Sequence, residues 1–240
     1  MVVMKTSICT IVKNEHLYIE EWIDYHQSLG FDDVYIFEDE GSNSHKQLLS
    51  NKPNVYIYSY DRNDTIKKAM GPDKKNRQQE LFNWFLNRFR NTYDWIAFID
   101  VDEFIMFDDG WNLAKFCEKF QDYPGVHLAW KMFGASGHIK KPKGSVLESY
   151  TYSYNQVFSD WRWRVKSIVN TKHGKYMMSN HHTKGGVDVD GIRTIDSVKF
   201  KIAWINHYFT RSWQEWCDKI FMRGDINPGN RALFDFFQCN

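Results

Sequence analysis

The chain has 240 residues, 42% hydrophobic and 25% charged, enough for one ordinary globular domain with a sizeable core. A formal net charge of +1 gives no sign of the basic field a nucleic-acid binder needs. Cys9, Cys117, Cys217 and Cys239 are far apart and form no CxxC pair, no basic amino-terminal region precedes an apolar run, and no stretch of roughly eighteen apolar residues is present, so reduced thiols and a soluble cytoplasmic protein are expected.

Residues 6–12 form a β-branched run that predicts a first central strand. Asn14 then reads as the N-cap of a helix carrying Tyr18, Ile19, Trp22, Ile23, Tyr25 and Leu29, ended by Gly30. Residues 34–37 predict a second strand with an acidic end at Glu38, Asp39 and Glu40. Residues 41–54 predict a turn and a short helix through Leu48 and Leu49. A third strand follows over 55–58, with a polar exit loop from Tyr60 to Asp64. From Lys74 to Arg90 the spacing is helical, with Leu81, Phe82, Phe85, Leu86 and Phe89 on one side and Arg77 and Gln78 near the start.

The run from Asp94 to Ile105 comes next. Ile96, Ala97, Phe98 and Ile99 predict a fourth strand buried on both faces, and it leads straight into Asp100 and Asp102. The first half thus reads as a doubly wound, mostly parallel α/β sheet with its ligand site beyond the carboxyl ends of the strands. The second half reads as a smaller mixed extension: a helix over 113–120, a strand over 126–130, a glycine-rich stretch from Phe133 to His138, a basic turn from Lys140 to Lys143, and short strands over 150–154 and 164–169. Residues 170–197 are polar and irregular, residues 202–205 lead to His207, and Ser212 reads as the cap of a last helix through Trp216, Ile220 and Phe221 to Gly224. One domain over 1–240 is expected, with 1–110 as the nucleotide half and 111–240 as the acceptor-side half.

Two carboxylates one residue apart on an extended segment share a side and repel, and a hard divalent cation relieves that repulsion. Such a cation holds a diphosphate and neutralises its charge as it leaves. His207, near another strand end, is the candidate third metal contact, and oxygen plus imidazole suits Mn²⁺ better than Mg²⁺. Arg211, Lys219 and Arg223 on or near the last helix, and Lys166, are candidate cations for the diphosphate; Lys219 and Arg223 share a helix face. Asn14, Glu15, Asp39 and Asp61 all follow strands, where acidic and polar groups receive ribose hydroxyls or a base N–H.

With these residues in place the sequence resembles glycosyltransferases of the A-type nucleotide-sugar fold, of the broad family-2 kind, and most of all the branch related to the family-92 β-galactosyltransferases. The resemblance rests on the stretches 9–15, 21–26, 29–31, 98–105, 130–138, 166–169 and 207–212, closed by Lys219, Arg223 and Gly224, in family order. It implies a nucleotide-diphospho-sugar donor, with uridine the first choice, a divalent metal on the Asp-x-Asp pair, a carbohydrate or glycoconjugate acceptor, and inversion at the anomeric carbon. By it Asp100 lies near ribose and metal, and Asp102 is the firmer metal ligand. Asp39 matches an aspartate the family sets beside an asparagine, where this chain has Glu40. Inversion needs a general base for the acceptor hydroxyl. Asp160, Asp188 and Asp190 in the second half are candidates, with His138 a competitor on its glycine-rich loop.

Two other readings use the same residues. A phosphotransferase or phosphatase with a DxD nucleophile loop expects Thr or Val where this chain has Phe104, and places its motif after the first strand rather than the fourth. A non-catalytic carbohydrate-binding protein of the same fold would not need Asp100, Asp102, His207 and the terminal cations together.

Overall fold

A computed structural model describes residues 4–71, 76–153, 165–189 and 201–222. The elements in chain order are β1 (Thr6–Val12), α1 (Ile19–Ser28), β2 (Asp33–Glu38), β3 (Val55–Ser59), α2 (Asp64–Met70), α3 (Arg77–Phe89), β4 (Trp95–Phe98), β5 (Glu103–Phe107), α4 (Leu113–Lys119), β6 (Gly125–Met132), α5 (Val146–Ser149), β7 (Val165–Asn170), β8 (Val187–Asp188), β9 (Ala203–His207) and α6 (Trp213–Cys217), which runs into a π-helical turn over Asp218–Met222. The sheet order is β3-β2-β1-β4-β7-β6-β9-β5, with β8 beside β6.

Strands β3, β2, β1 and β4 are parallel, as the alternation of strand and helix in the first half requires. β2, β1 and β4 are covered on both faces, while the edge strand β3 is only partly buried. Ile8, Val34, Ile36 and Ala97 pack on one side with Trp22, Ile23 and Phe116, while Cys9, Phe37, Ile96 and Phe98 pack on the other with Leu81, Phe82, Phe85 and Leu86. That two-sided burial is why these strands read as continuous apolar runs. The rest of the sheet departs from the doubly wound parallel expectation. β7 is antiparallel to β4 and β6, β9 is parallel to β6, and β5 is antiparallel to β9. The sheet is therefore mixed.

The cause begins at the Asp-x-Asp segment. β4 stops at Phe98, and Glu103 N–H donates to Asp100 O at 3.1 Å, which closes a turn over 100–103. A turn that short cannot make a parallel crossover, which takes a dozen residues or more. β5 leaves the line of β4 and finds β9 instead. Asp100 and Asp102 sit on a turn between two strands, not on one extended segment.

Several local expectations are corrected in the same way. Asn14 does not cap α1. It sits in the left-handed region (φ 57°), and Tyr18 and Ile19 N–H both donate to Glu15 O before the helix starts. Residues 41–54 hold turns rather than a helix; Leu49 is buried but Leu48 faces solvent, so no apolar face forms. The helix α2 was not expected. Asn63 caps it through the Thr65 and Ile66 N–H groups, and Ile66 and Met70 give it a short buried stripe. In the described part of 150–154 only a single bridge, Phe133 to Ser153, is present. Gly30 does end α1: Phe31 N–H reaches His26 O and Gly30 N–H reaches Gln27 O, with Gly30 at φ 105°. Ser212 caps α6 in a reciprocal box with Glu215, while Phe221 points to solvent and Gly224 lies outside the described residues.

The outer edge of β5 is sealed by side chains of α1. Trp22 Nε1–H donates to Glu103 O at 2.7 Å, Tyr25 O–H donates to Ile105 O at 2.7 Å, and Ile105 N–H donates to His26 Nε2 at 3.3 Å. His26 Nδ1–H in turn donates to Trp22 O at 2.8 Å. The edge is thereby closed to a further strand. Burial lowers the His26 pKa to about 3, against a weaker opposing pull from the Trp22 carbonyl. The unfolded chain takes up this proton near pH 6.5 and the fold does not, so the His26 contribution is complete above pH 6.5 and shrinks as pH falls toward 3, by about 1.4 kcal/mol per unit. Urea unfolding at pH 7 and pH 5 should show wild type losing roughly 2 kcal/mol more than His26→Gln. Equal losses would mean that His26 carries a proton in the fold.

Candidate active site

Four of the expected residues stand beyond the carboxyl ends of the parallel strands: Glu15 after β1, Asp39 after β2, Asp61 after β3 and Asp100 after β4. Two residues at this edge bind the loops to one another. Asn14 Oδ1 accepts from Asn43 N–H at 2.8 Å, and Asp61 Oδ2 accepts from Gly41 N–H at 2.8 Å. Asp39 instead receives Arg77 Nη1–H at 2.6 Å. The Arg77 guanidinium is buried, lies 4.3 Å from the centre of the Tyr60 ring, and has Nη2 3.5 Å from the Glu40 carboxylate. Burial works against its charge, but the bond to Asp39 and the neighbouring Tyr60 and Glu40 outweigh that and raise its pKa.

At the turn each aspartate has its own lysine. Asp100 accepts Gln78 Nε2–H at 2.7 Å on one oxygen and Lys166 Nζ–H at 2.7 Å on the other. Asn180 Nδ2–H donates to Gln78 Oε1 at 2.9 Å and so fixes the amide's orientation. Lys166, on β7, is fully buried and also lies 3.9 Å from Glu103 Oε2. Its burial disfavours the charge, but Asp100 and Glu103 more than reverse that and raise its pKa. Glu103 Oε2 accepts the Asp100 N–H at 2.8 Å and holds the turn from inside. Burial pushes the Glu103 carboxyl well up; Lys166 opposes this, and the Asp100 and Asp102 charges add to it. Its Oε1 has no hydrogen-bond partner among the described residues.

Asp102 accepts Lys219 Nζ–H at 2.8 Å on Oδ2, and His207 Nε2 stands 3.5 Å from Oδ1. Lys219 also donates to Phe209 O at 2.8 Å. Burial acts against the Asp102 charge, yet Lys219, His207 and Arg211 hold this carboxyl well below its ordinary range. His207 ends β9, its ring 4.3 Å from that of Trp130, and its Nδ1 has no hydrogen-bond partner among the described residues. Two ligands about 2.1 Å from one ion stand roughly 3 to 3.5 Å apart at bond angles of 90–110°. The Asp102–His207 pair fits that spacing. Asp100 is turned to Gln78 and Lys166 instead, and among the described residues no three His, Cys, Asp or Glu side chains are grouped to hold a metal.

Arg211 closes the site from the carboxyl-terminal side. Its Nη1–H donates to Glu15 Oε2 at 2.9 Å, and its guanidinium lies 3.9 Å from the centre of the Tyr18 ring. Tyr18 O–H donates to Glu215, which also accepts from Tyr150 O–H and Ser212 O–H. Of the base candidates, His138 has Nε2 3.0 Å from Ser149 O, and Asp188 lies 3.4 Å from His127. Asp160, Asp190 and Arg223 lie outside the described residues.

The structure thus gathers Asp100, Lys166, Asp102, His207 and Lys219, with Glu15 and Arg211 beside them. The sequence reading missed Tyr18, Glu215 and the clamp of Gln78 on Asp100. The Ser212-to-Glu215 spacing was a legible signal for Glu215, since it is the pattern of a capping box. The Tyr18 contact carried no signal, because its partner is 197 residues away.

This is an α/β protein whose open sheet presents a turn of lysine-paired carboxylates beyond the carboxyl ends of its parallel strands. The chain belongs to glycosyltransferase family 92, whose sequence model matches residues 4–228. It is 25% identical over 220 residues to a glycosyltransferase family 92 protein of Oryza sativa subsp. japonica, covering 89% of this chain and 34% of that protein. It is 29% identical over 223 residues to one of Ricinus communis, covering 90% of this chain and 37% of that protein. The chain therefore spans about a third of the length of these curated relatives. Among solved structures it is similar to glucosyl-3-phosphoglycerate synthase from Mycobacterium tuberculosis in complex with Mn²⁺, uridine diphosphate and phosphoglyceric acid, with a TM-score of 0.35, 17% identity, and coverage of 56% of this chain and 45% of that one. No helix among the described residues is long and apolar enough to cross a membrane.

Proposed function

We propose that this chain is the catalytic domain, over 1–240, of a metal-dependent inverting glycosyltransferase. It moves a sugar from a nucleotide-diphospho-sugar, a uridine donor first, to a hydroxyl of a carbohydrate or glycoconjugate. Membership of glycosyltransferase family 92 supports the class. The observation that carries the reading is the Asp102 carboxylate, set between Lys219 Nζ at 2.8 Å and His207 Nε2 at 3.5 Å at the edge where a sheet of this kind receives its ligand.

In this reading Asp102 and His207 hold a divalent cation, Mn²⁺ or Mg²⁺, which when bound supplies positive charge to the departing diphosphate. Asp100, fixed by Gln78 and Lys166, would lie near the ribose and the metal. Asp39 and Arg77, with the Tyr60 ring beneath the guanidinium, contact the nucleoside. Lys219 and Arg223 stabilise the diphosphate, so no acid is needed for its departure. The acceptor proton goes to a carboxylate of the second half, Asp160 or Asp188, since the His138 ring already faces the Ser149 carbonyl.

The test is a panel of nucleotide sugars with Mn²⁺, scored for thermal shift and slow donor hydrolysis together. One donor should stabilise the protein and be cleaved, both only with metal, and the anomeric configuration of the transfer product should be inverted. No response from any nucleotide or nucleotide sugar, with no Mn²⁺ bound by direct titration, would overturn the reading.

A further inference from the structure

Lys219 occupies one oxygen of Asp102 while His207 faces the other. The Lys219 side chain is buried, and its Nζ is 2.8 Å from both Asp102 Oδ2 and Phe209 O, so it is held in place rather than trailing in solvent. An ammonium on one oxygen of a carboxylate weakens the hold of a divalent ion on the other, because the two positive charges repel and share one negative charge. The same ammonium is four carbons from its backbone and can swing away from Asp102 without moving the helix.

We propose that Lys219 is a resident counter-ion that neutralises Asp102 until the donor arrives, and that transfer of its ammonium from Asp102 Oδ2 to the donor diphosphate frees the full carboxylate charge for a metal held at Oδ1 and His207. Lys219 contacts the donor itself in this scheme, and the idea rests on the nucleotide-sugar reading above. The lysine gives an empty site its charge balance and gives a full site a diphosphate ligand. Because metal and lysine compete for Asp102 only when no diphosphate is present, metal and donor bind with positive coupling, which linkage makes reciprocal.

The consequence has opposite signs for the two ligands. In Lys219→Met the stem is kept and the charge removed. Nucleotide-free Mn²⁺ affinity, read by electron paramagnetic resonance of the free ion, should rise about ten-fold. Affinity for uridine diphosphate at saturating Mn²⁺, read by calorimetry, should fall about ten-fold. Lys219→Arg should stay near wild type in both. Without metal, Lys219→Met should melt lower than wild type, because Asp102 has lost its counter-ion, and Mn²⁺ should restore most of the difference. A residue with only a packing role would lower both affinities or leave both unchanged. Unchanged or weaker Mn²⁺ binding in Lys219→Met, while wild type still binds nucleotide with metal, would overturn the counter-ion role and leave the proposed function standing. Wild type binding neither Mn²⁺ nor any nucleotide would overturn both.

Discussion

Asp102→Asn is expected to lower turnover by roughly 10²- to 10³-fold, the scale seen when one preorganised electrostatic contact to developing charge is removed. Asparagine keeps the shape and an oxygen facing His207 but loses the charge. Three cationic or imidazole neighbours, Lys219, His207 and Arg211, then converge on a neutral group. The Tyr208 N–H still donates to the residue-102 carbonyl at 2.8 Å, so the turn keeps its tie to the end of β9. Circular dichroism should be unchanged, and Mn²⁺ titration should show weaker binding. Turnover near wild type in a folded variant would remove Asp102 from the mechanism.

The second large effect is on stability. Lys166→Met should cost about 3 kcal/mol, near the lower end of what breaking a buried pair costs. Lys166 and Glu103 are wholly buried, but Asp100 keeps a third of its side chain in solvent, at 34% exposure, and can recover part of its hydration. The variant leaves Asp100 and Glu103 without their shared cation and removes the charge that opposes the upward push of burial on the Glu103 carboxyl. Urea unfolding at pH 7 should show the loss, and it should shrink as pH falls and the carboxyl groups of both states become neutral. A variant as stable as wild type at pH 7 would mean that Lys166 is not the cation compensating these groups. Glu103→Gln offers a companion reading: it keeps a hydrogen-bonding oxygen for the Asp100 N–H without the buried charge and should be much milder than Lys166→Met.

The parallel half was legible because its physics is local. β1, β2 and β4 are apolar on both faces, Gly30 takes the positive φ that ends α1, and the acidic and polar residues at strand ends follow from where ligands meet an open sheet. The break between β4 and β5 was not legible. Phe98 to Ile105 is equally apolar on either side of the aspartates, and periodicity states which residues are buried but not which strand they lie beside. The Lys219 and Lys166 partnerships were hidden for the same reason. Each lysine is more than sixty residues from its aspartate, at 117 and 66 positions, and only the mixed pairing of β7 and the path after β9 bring them to the turn. Asn14 misled because the same side chain that caps helices also favours the left-handed backbone it takes here.

The placement of β9 between β6 and β5 has a consequence for the chain as it is made. β5 ends at Phe107 and its sheet neighbour begins at Ala203. At roughly 5–20 residues per second, the ribosome adds that neighbour several seconds or more after β5 has emerged. Until then Phe104, Ile105, Met106 and Phe107 form an aromatic-rich strand fastened along one side by Trp22, Tyr25 and His26 and open along the other. α1 is already synthesised, so it can guard the strand on that side while the open side waits. A nascent chain arrested before residue 203 would therefore expose one sticky backbone edge beside the aspartate turn, and residues 203–219 both cover that edge and deliver Lys219.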